Sequence, residues 1–168
     1  MHLKKLKLYQ LDELNLIFFE YLKFSLEKRH FTNENLGELS EKLGEIFSNF
    51  ESHSESKYFY VCGQFFPQKK YFDFCLTDKG IGIARYVMLK ERNIKTQSDA
   101  VKWAFDARNT TKDTCGGLGL KLLKEFVENK RGQLIVYCNN IIYNVIKNQT
   151  KEDISQFFGT SVFVRLPM

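Results

Sequence analysis

Hydrophobic residues recur at helical spacing along three long stretches of the chain. Residues 11–30 predict a first helix, a second helix is expected from Thr32 or Asn33 to about Phe50, and residues 118–130 give the clearest amphipathic pattern. On the second helix the apolar residues form one stripe that we expect to face a sheet: Leu36, Leu39, Leu43, Ile46, Phe47 and Phe50. Shorter helices are expected around 84–92 and 97–107.

Runs of β-branched and aromatic residues predict the strands. The segments are 57–66, 71–77, 133–140 and 159–167, with a weaker strand at 141–146. The turn at 67–70 makes the first two a hairpin, and the polar segment 147–158 is expected to be a surface loop. The order of elements predicts one α+β domain over residues 1–168, a two-layer α/β sandwich whose mostly antiparallel sheet is covered on one face by helices. Residues 1–30 are expected to pack on it as an N-terminal helical segment.

Composition narrows the class of protein. The net charge of +5 comes from scattered lysines, which favours a solvated surface over nucleic-acid binding. The longest apolar runs are too short to span a bilayer and no secretory signal is recognisable, so we expect a cytoplasmic protein with no membrane partner. Four cysteines are far apart in the sequence and form no CxxC pair, so we expect buried free thiols: Cys62, Cys75, Cys115 and Cys138.

Three local patterns carry candidate chemistry, and each also has an ordinary structural explanation. Glu45 and Asn49 lie four residues apart on the second helix, away from the apolar stripe, where a solvated face is the common outcome. The segment 78–83, DKGIGI, follows an apolar strand. Its Asp can accept a hydrogen bond from the amine of adenine and its glycines permit close approach and left-handed dihedrals, but a tight turn gives the same pattern. The segment 115–120, CGGLGL, opens the best helix. Free amide groups at such a helix start suit phosphate oxygens, but a glycine-rich helix entry with no ligand gives the same pattern.

Taken in order, the three patterns resemble one family. There is no GxxxxGK[ST] P-loop, no complete GxGxxG followed by an acid, and no protein-kinase HRD or DFG signature. ExxxN on a helix, DxGxG after a strand and GGLGL at a helix start resemble the GHKL superfamily, the Bergerat-fold, histidine-kinase-like ATPases. Residues 159–161, GTS, and 166–167, LP, resemble the last strand of that family. The resemblance spans residues 36 to 167.

The resemblance implies a domain that binds ATP and Mg²⁺. Asp78 would bind the adenine amine and Asn49 would supply an oxygen to Mg²⁺, while backbone amides of Gly117 and Gly119 would meet the phosphates. Residues 108–117 would form the ATP lid, in which Lys112 would reach the terminal phosphate or remain solvated. The implied nucleotide-contacting residues are Asn49, Asp78, Gly80, Gly82, Ile83, Lys112, Gly116, Gly117, Leu118, Gly119, Leu120 and Thr160.

Glu45 indicates which subfamily of the GHKL superfamily the chain resembles, since a carboxylate one turn before the Mg²⁺ ligand would act as general base. With His53 the helix reads ExxxNxxxH, which resembles the compact anti-sigma-factor serine kinases. Two departures are Phe50 in place of a small residue and Cys115 in place of a first glycine. The implied function is a serine/threonine protein kinase of the switch type. It would act on a small regulatory partner, a STAS-like antagonist or a sigma factor, with a homodimer allowed. Two alternatives stay open: a nucleotide-gated protein-binding module with little turnover, and the ATP-binding fragment of a histidine kinase.

Overall fold

Five strands, four α-helices and a short 3₁₀ helix at Pro67–Lys69 make up the described part of the chain. The computed structural model describes residues 2–7, 33–106 and 119–167. The predicted helix over 11–30 lies outside these residues. The elements are β1 (His2–Lys7), α1 (Asn33–His53), β2 (Tyr58–Phe66), β3 (Tyr71–Asp78), α2 (Ile83–Lys90), α3 (Gln97–Ala104), α4 (Gly119–Asn129), β4 (Gln133–Asn144) and β5 (Gln149–Pro167).

The strands form one antiparallel sheet in the order β1-β2-β3-β5-β4. The predicted hairpin of β2 and β3 is confirmed, and its turn closes where the Lys70 amide donates to the carbonyl oxygen of Pro67. β3 lies at the centre, between β2 and β5. The expectation of a helical segment over residues 1–30 is wrong for residues 2–7, which form β1 and pair with β2 at the edge of the sheet.

The sheet has an inner face that is buried and an outer face that is half-buried. Along β3 the inner positions Phe72, Phe74, Leu76 and Asp78 are buried and alternate with partly exposed residues. We call the outer face the side that carries Tyr71, Asp73, Cys75 and Thr77 together with their cross-strand neighbours.

Helices pack on the inner face and complete the sandwich. On α1 the buried residues are Leu39, Leu43, Ile46 and Phe47, four members of the predicted apolar stripe; the side chains of the other two lie outside the described ones. α4 packs on α1 and buries Leu123, Phe126 and Val127. The predicted two-layer α/β sandwich is therefore confirmed. No helix within residues 33–106 and 119–167 has both the length and the apolar character that crossing a bilayer requires.

The prediction of a surface loop over 147–158 is wrong. β5 begins at Gln149, and its first half pairs with the second half of β4, for example Ile141 with Glu152 and Tyr143 with Thr150. A β-bulge between Cys138 and Ile141 joins the two halves of the ladder. The segment escaped prediction because most of its described polar side chains are exposed, while its backbone bonds to β4, which supplies the apolar residues of the pair.

Tyr143 shows how this hairpin is tied to the body of the protein. Its side chain is 3% exposed, and its ring centroid lies 5.9 Å from that of Phe105, which follows α3. Its hydroxyl lies 3.1 Å from Asn148 Oδ1 in the turn between the strands. The hairpin is therefore part of the packed structure.

We expect Tyr143→Ala to lower the free energy of unfolding by about 3–5 kcal/mol, the cost of truncating a buried aromatic side chain. Phe158→Ala on the same hairpin is the control, since Phe158 is 62% exposed and the change should stay within about 0.5 kcal/mol. Urea denaturation measures both. Equal, small effects would contradict the packing of the hairpin.

Candidate functional site

Asp78 is a fully buried carboxylate at the last position of β3. Its exposed fraction is 0%, and its two oxygens accept hydrogen bonds from backbone amides. Gly80 N donates to Oδ1 at 2.6 Å and Thr160 N donates to Oδ2 at 3.2 Å. Burial raises the pKa of Asp78 from 3.8 to about 6, although the bonds from Gly80 and Thr160 act in the opposite direction.

The groups that bond to Asp78 are neutral. Besides the two amides, the Thr160 side chain also bonds to the carboxylate, and no described residue forms an ion pair with it. A carboxylate has about four acceptor positions, so these three donors leave room for one more. A buried anion without a cationic partner is costly, and a further donor would reduce that cost. The carboxylate is closed to solvent, so a ligand would reach it only after neighbouring groups move apart.

Thr160 connects Asp78 to the start of α2. It is 4% exposed, and its Oγ1 accepts a hydrogen bond from Ile83 N at 2.9 Å. Because that bond occupies a lone pair, the hydroxyl proton is free to point to Asp78. The next amide of the helix, Ala84 N, donates to Cys138 Sγ at 3.3 Å. The start of α2 is thus fixed by side chains from β4 and β5, and the amide of Ile83, predicted to contact nucleotide, already has a protein partner.

Two glycines in left-handed conformations bring the backbone segments of the site together. Gly82 has φ 83°, and a Cβ there would lie 2.6 Å from Asn139 Oδ1 and 2.8 Å from the Gly159 carbonyl oxygen. Gly159 has φ 122°, and a Cβ there would clash with the carbonyl of Asp78. A side chain at either position is therefore excluded both by space and by backbone conformation.

Gly80 corrects one expectation, since it does not have a left-handed conformation. Glycine is required there for space, because a Cβ would overlap the carbonyl of Ser54 just after α1. Ser54 is buried, and its carbonyl oxygen accepts a hydrogen bond from Ile81 N at 2.9 Å. The loop after Asp78 is thus held against the end of α1.

Contact between α1 and the loop brings the first two sequence patterns together. The ring centroids of His53, in the last turn of α1, and of Tyr86 on α2 are 4.5 Å apart. Residues 45, 49 and 53 are spaced four apart and share one stripe of a helix. Asn49 therefore stands about 6 Å along the axis from the helix end at His53. The side chains of Glu45 and Asn49 lie outside the described ones, so their roles stay predictions.

The third pattern is described only in part. Lys112, Gly116, Gly117 and Leu118 lie outside the described residues, as does the predicted lid at 108–117. Gly119 and Leu120 are both buried in the first turn of α4. Their predicted contacts with phosphate therefore remain predictions.

Asn139 and Cys138 belong to the site and were missed by the sequence prediction. Asn139 lies at the β-bulge with φ 55°, and its Nδ2 donates to the Ile81 carbonyl oxygen at 3.3 Å. Its Oδ1 accepts from Cys138 Sγ at 3.2 Å. The available signal was the polar interruption Cys-Asn-Asn at 138–140 inside an apolar strand, where a bulge turns a polar side chain towards a site.

Comparison with known proteins finds several solved structures that resemble this chain in fold. No protein-family model matches the chain, and no curated protein matches it. A solved structure described as mycobacterial sensor histidine kinase MprB is 16% identical, with a TM-score of 0.48, over 98% of this chain and 96% of that one. A likeness of this strength supports no inference about function, which depends on the residues around Asp78. Fold and site together define a two-layer α/β sandwich with a buried carboxylate at the end of its central strand.

The raised pKa of Asp78 predicts a pH-dependent stability. Because the folded state keeps the proton up to about pH 6 and the unfolded chain only to pH 3.8, the contribution of Asp78 to stability is fully present below this window and is lost as pH rises through 6. Between about pH 4 and pH 6 the wild type should lose about 2 kcal/mol relative to Asp78→Asn, out of about 3 kcal/mol over the whole titration. Urea denaturation across this range measures the difference. A constant difference would contradict the uncompensated burial of the carboxylate.

The contacts of the glycines predict that replacing glycine by alanine changes stability differently at different positions. Gly82→Ala and Gly159→Ala should each destabilise the fold by about 1–3 kcal/mol or more, because the backbone there is strained for alanine. Gly37→Ala is the control: its Cβ would meet nothing within 4 Å on α1, and alanine should stabilise the helix by about 0.5–1 kcal/mol. Thermal denaturation of the three variants compares them, and an Ala at 82 or 159 that costs nothing would refute the close packing.

Proposed function

We propose that this chain binds Mg·ATP at the Asp78 site and acts as a serine/threonine protein kinase of the anti-sigma-factor type on a small partner protein. The observation that carries the proposal is the buried Asp78 carboxylate, which three neutral donors hold in place with one acceptor position open. The sequence resemblance supplies the class of ligand, and the geometry of the site is compatible with it.

Adenine fits the open acceptor position by its chemistry. Its exocyclic amine is a neutral donor, and donating to Asp78 would favour the ionised carboxylate. Guanine carries a carbonyl oxygen at the same place on the ring, and this oxygen would repel the carboxylate. Thr160, whose hydroxyl is fixed by Ile83 N, keeps the carboxylate from turning away. The site should therefore distinguish ATP from GTP.

The metal and the phosphates would be held by residues on α1 and α4. Mg²⁺ takes oxygen ligands, keeps several waters and uses few protein groups, so the amide oxygen of Asn49 with the ATP phosphates would suffice. When bound, the ion neutralises charge that develops on the transferring phosphoryl group. Glu45, one turn earlier on α1, would accept the proton of the attacking serine or threonine hydroxyl. The N-terminal end of α4, at Gly119, would bring its helix dipole to the phosphates.

The biological setting follows from the same proposal. The partner would be a small regulatory protein, a STAS-like antagonist or a sigma factor, in the cytoplasm, and the chain would work as a monomer or a homodimer. A nucleotide-gated binding module with little turnover shares the nucleotide site and differs only in the transfer step. Nucleotide binding and phosphoryl transfer therefore need separate tests.

Calorimetry with ATP and GTP tests the adenine assignment. We expect ATP in the presence of Mg²⁺ to bind more tightly than GTP, and Asp78→Asn to lose about 1–3 kcal/mol of ATP binding. The matched control is Asp73→Asn on the outer face of the same strand, where the carboxylate pairs with Arg165 Nε at 2.6 Å. The control should keep the wild-type affinity. Equal affinities for ATP and GTP would refute the assignment.

Two assays test the proposed phosphoryl transfer. One measures phosphate release from ATP, and the other measures transfer of labelled phosphate to the native partner. Glu45→Gln should keep ATP affinity and lower transfer by about 10²–10⁴-fold, since general-base assistance has this size. Asn49→Ala should lose Mg²⁺-dependent binding as well. Glu41→Gln, one turn earlier on α1 and exposed, is the control and should change neither. A wild type that binds ATP but transfers no label to its partner would favour the nucleotide-gated module.

A further inference from the structure

Two cysteines that the sequence places far apart lie side by side on the outer face of the sheet. Cys62 on β2 and Cys75 on β3 are direct partners in the antiparallel register. Directly opposed residues in such a pair have Cα atoms about 4.5–5.5 Å apart, which falls within the range of about 4.4–6.8 Å that a disulfide needs. Both side chains are free thiols and only partly buried. The expectation of buried thiols holds for Cys138 alone among the three described cysteines.

The surroundings of Cys75 favour its thiolate. Ser161 Oγ lies 3.2 Å and Thr77 Oγ1 3.6 Å from its sulfur, and the two hydroxyl oxygens are 2.8 Å apart. The hydrogen bond from Cys62 and those from the hydroxyls lower the pKa of Cys75 to about 6, against the effect of burial. The same bond, followed by burial, raises the pKa of Cys62. The two hydroxyls beside its sulfur therefore favour Cys75 as the nucleophile of the pair, with Cys62 as a hydrogen-bond donor to it.

Cys138 provides a contrast within the same protein. It is 1% exposed, accepts from Ala84 N and donates to Asn139 Oδ1. Burial raises its pKa to about 11. Reactivity of a thiol follows its thiolate fraction and its exposure, so Cys138 should be inert under conditions in which Cys75 reacts.

We propose that Cys62 and Cys75 form a modification site at which hydrogen peroxide oxidises the two thiols to a disulfide that links β2 and β3. The Cys75 thiolate attacks one peroxide oxygen, the O–O bond breaks, and Cys75 becomes a sulfenic acid while hydroxide leaves. The Cys62 sulfur then attacks the Cys75 sulfur, the S–O bond breaks, and the oxygen leaves as water with the Cys62 proton. The hydroxide takes up the proton that Cys75 released when it became a thiolate, so two thiols are oxidised and one hydrogen peroxide is reduced to two waters. A small dithiol returns the pair to the reduced state.

The test is oxidation of the folded full chain by hydrogen peroxide at pH 7, followed by alkylation, proteolysis and mass spectrometry. We expect a Cys62–Cys75 disulfide that dithiothreitol reverses. A chain unfolded in urea is the control, and there the preference for this pairing should fall to the small one that its short loop gives. A folded chain that forms no such disulfide, or that pairs either residue with Cys115 or Cys138, would overturn the proposal.

Single variants assign the order of the steps. Cys62→Ser should form a sulfenic acid at Cys75 that dimedone traps, with no internal disulfide, whereas Cys75→Ser should form neither. In the wild type, iodoacetamide at pH 7 should modify Cys75 more than about tenfold faster than Cys138. Ser161→Ala removes one hydroxyl and should move the pH midpoint of Cys75 alkylation upward. Equal rates for the two cysteines, or trapping at Cys62 instead of Cys75, would contradict the roles assigned.

This site is independent of the proposed ATP binding. The two cysteines lie on the outer face, and Asp78 lies on the inner face. Cys62→Ser should therefore leave ATP affinity unchanged in calorimetry. A chain that failed to bind ATP but still formed the disulfide would refute only the proposed function.

Discussion

The central constraint in this molecule is a buried carboxylate to which no described residue supplies a compensating positive charge. Asp78 occupies an inner position of the central strand, where its neighbours along β3 are Phe and Leu side chains. Desolvation of the anion is offset only in part by two amides and a hydroxyl, all neutral. Proteins retain such groups where function requires them, and pKa values are perturbed most often at functional sites.

Much of the local structure serves to bring those neutral donors to the carboxylate. Gly159 lets β5 approach closely enough for Thr160 N to donate, and Gly82 lets the loop turn into α2 beside the bulge of β4. Gly80 packs on the carbonyl of Ser54, so the end of α1 is part of the same assembly. A helix carrying Glu45 and Asn49 is thus placed next to the loop that carries Asp78. The proposed binding of Mg·ATP depends on this arrangement.

The sequence predicted the features that depend on local patterns. The apolar stripe of α1, the hairpin of β2 and β3, and a polar residue ending an apolar strand at Asp78 are all visible without knowledge of the fold. Features created by pairing between distant segments were missed. The first half of β5 is polar and was predicted to be a loop, because its stability comes from its bonds to β4. Three other features could not be predicted for the same reason: β1, the role of Asn139 at the bulge, and the contact of Cys62 with Cys75. Each depends on the register between strands, which has no signature in a single sequence.

The pKa of Asp78, measured by NMR with and without Mg·ATP, tests the central claim most directly. In the free protein the carboxyl should titrate at about 6, because burial favours the neutral form. With ATP bound, an amine that donates to the carboxylate favours the charged form, and the pKa should fall below that value. A free-state pKa near the unfolded value of 3.8, or a pKa that ATP binding leaves unchanged, would contradict the account.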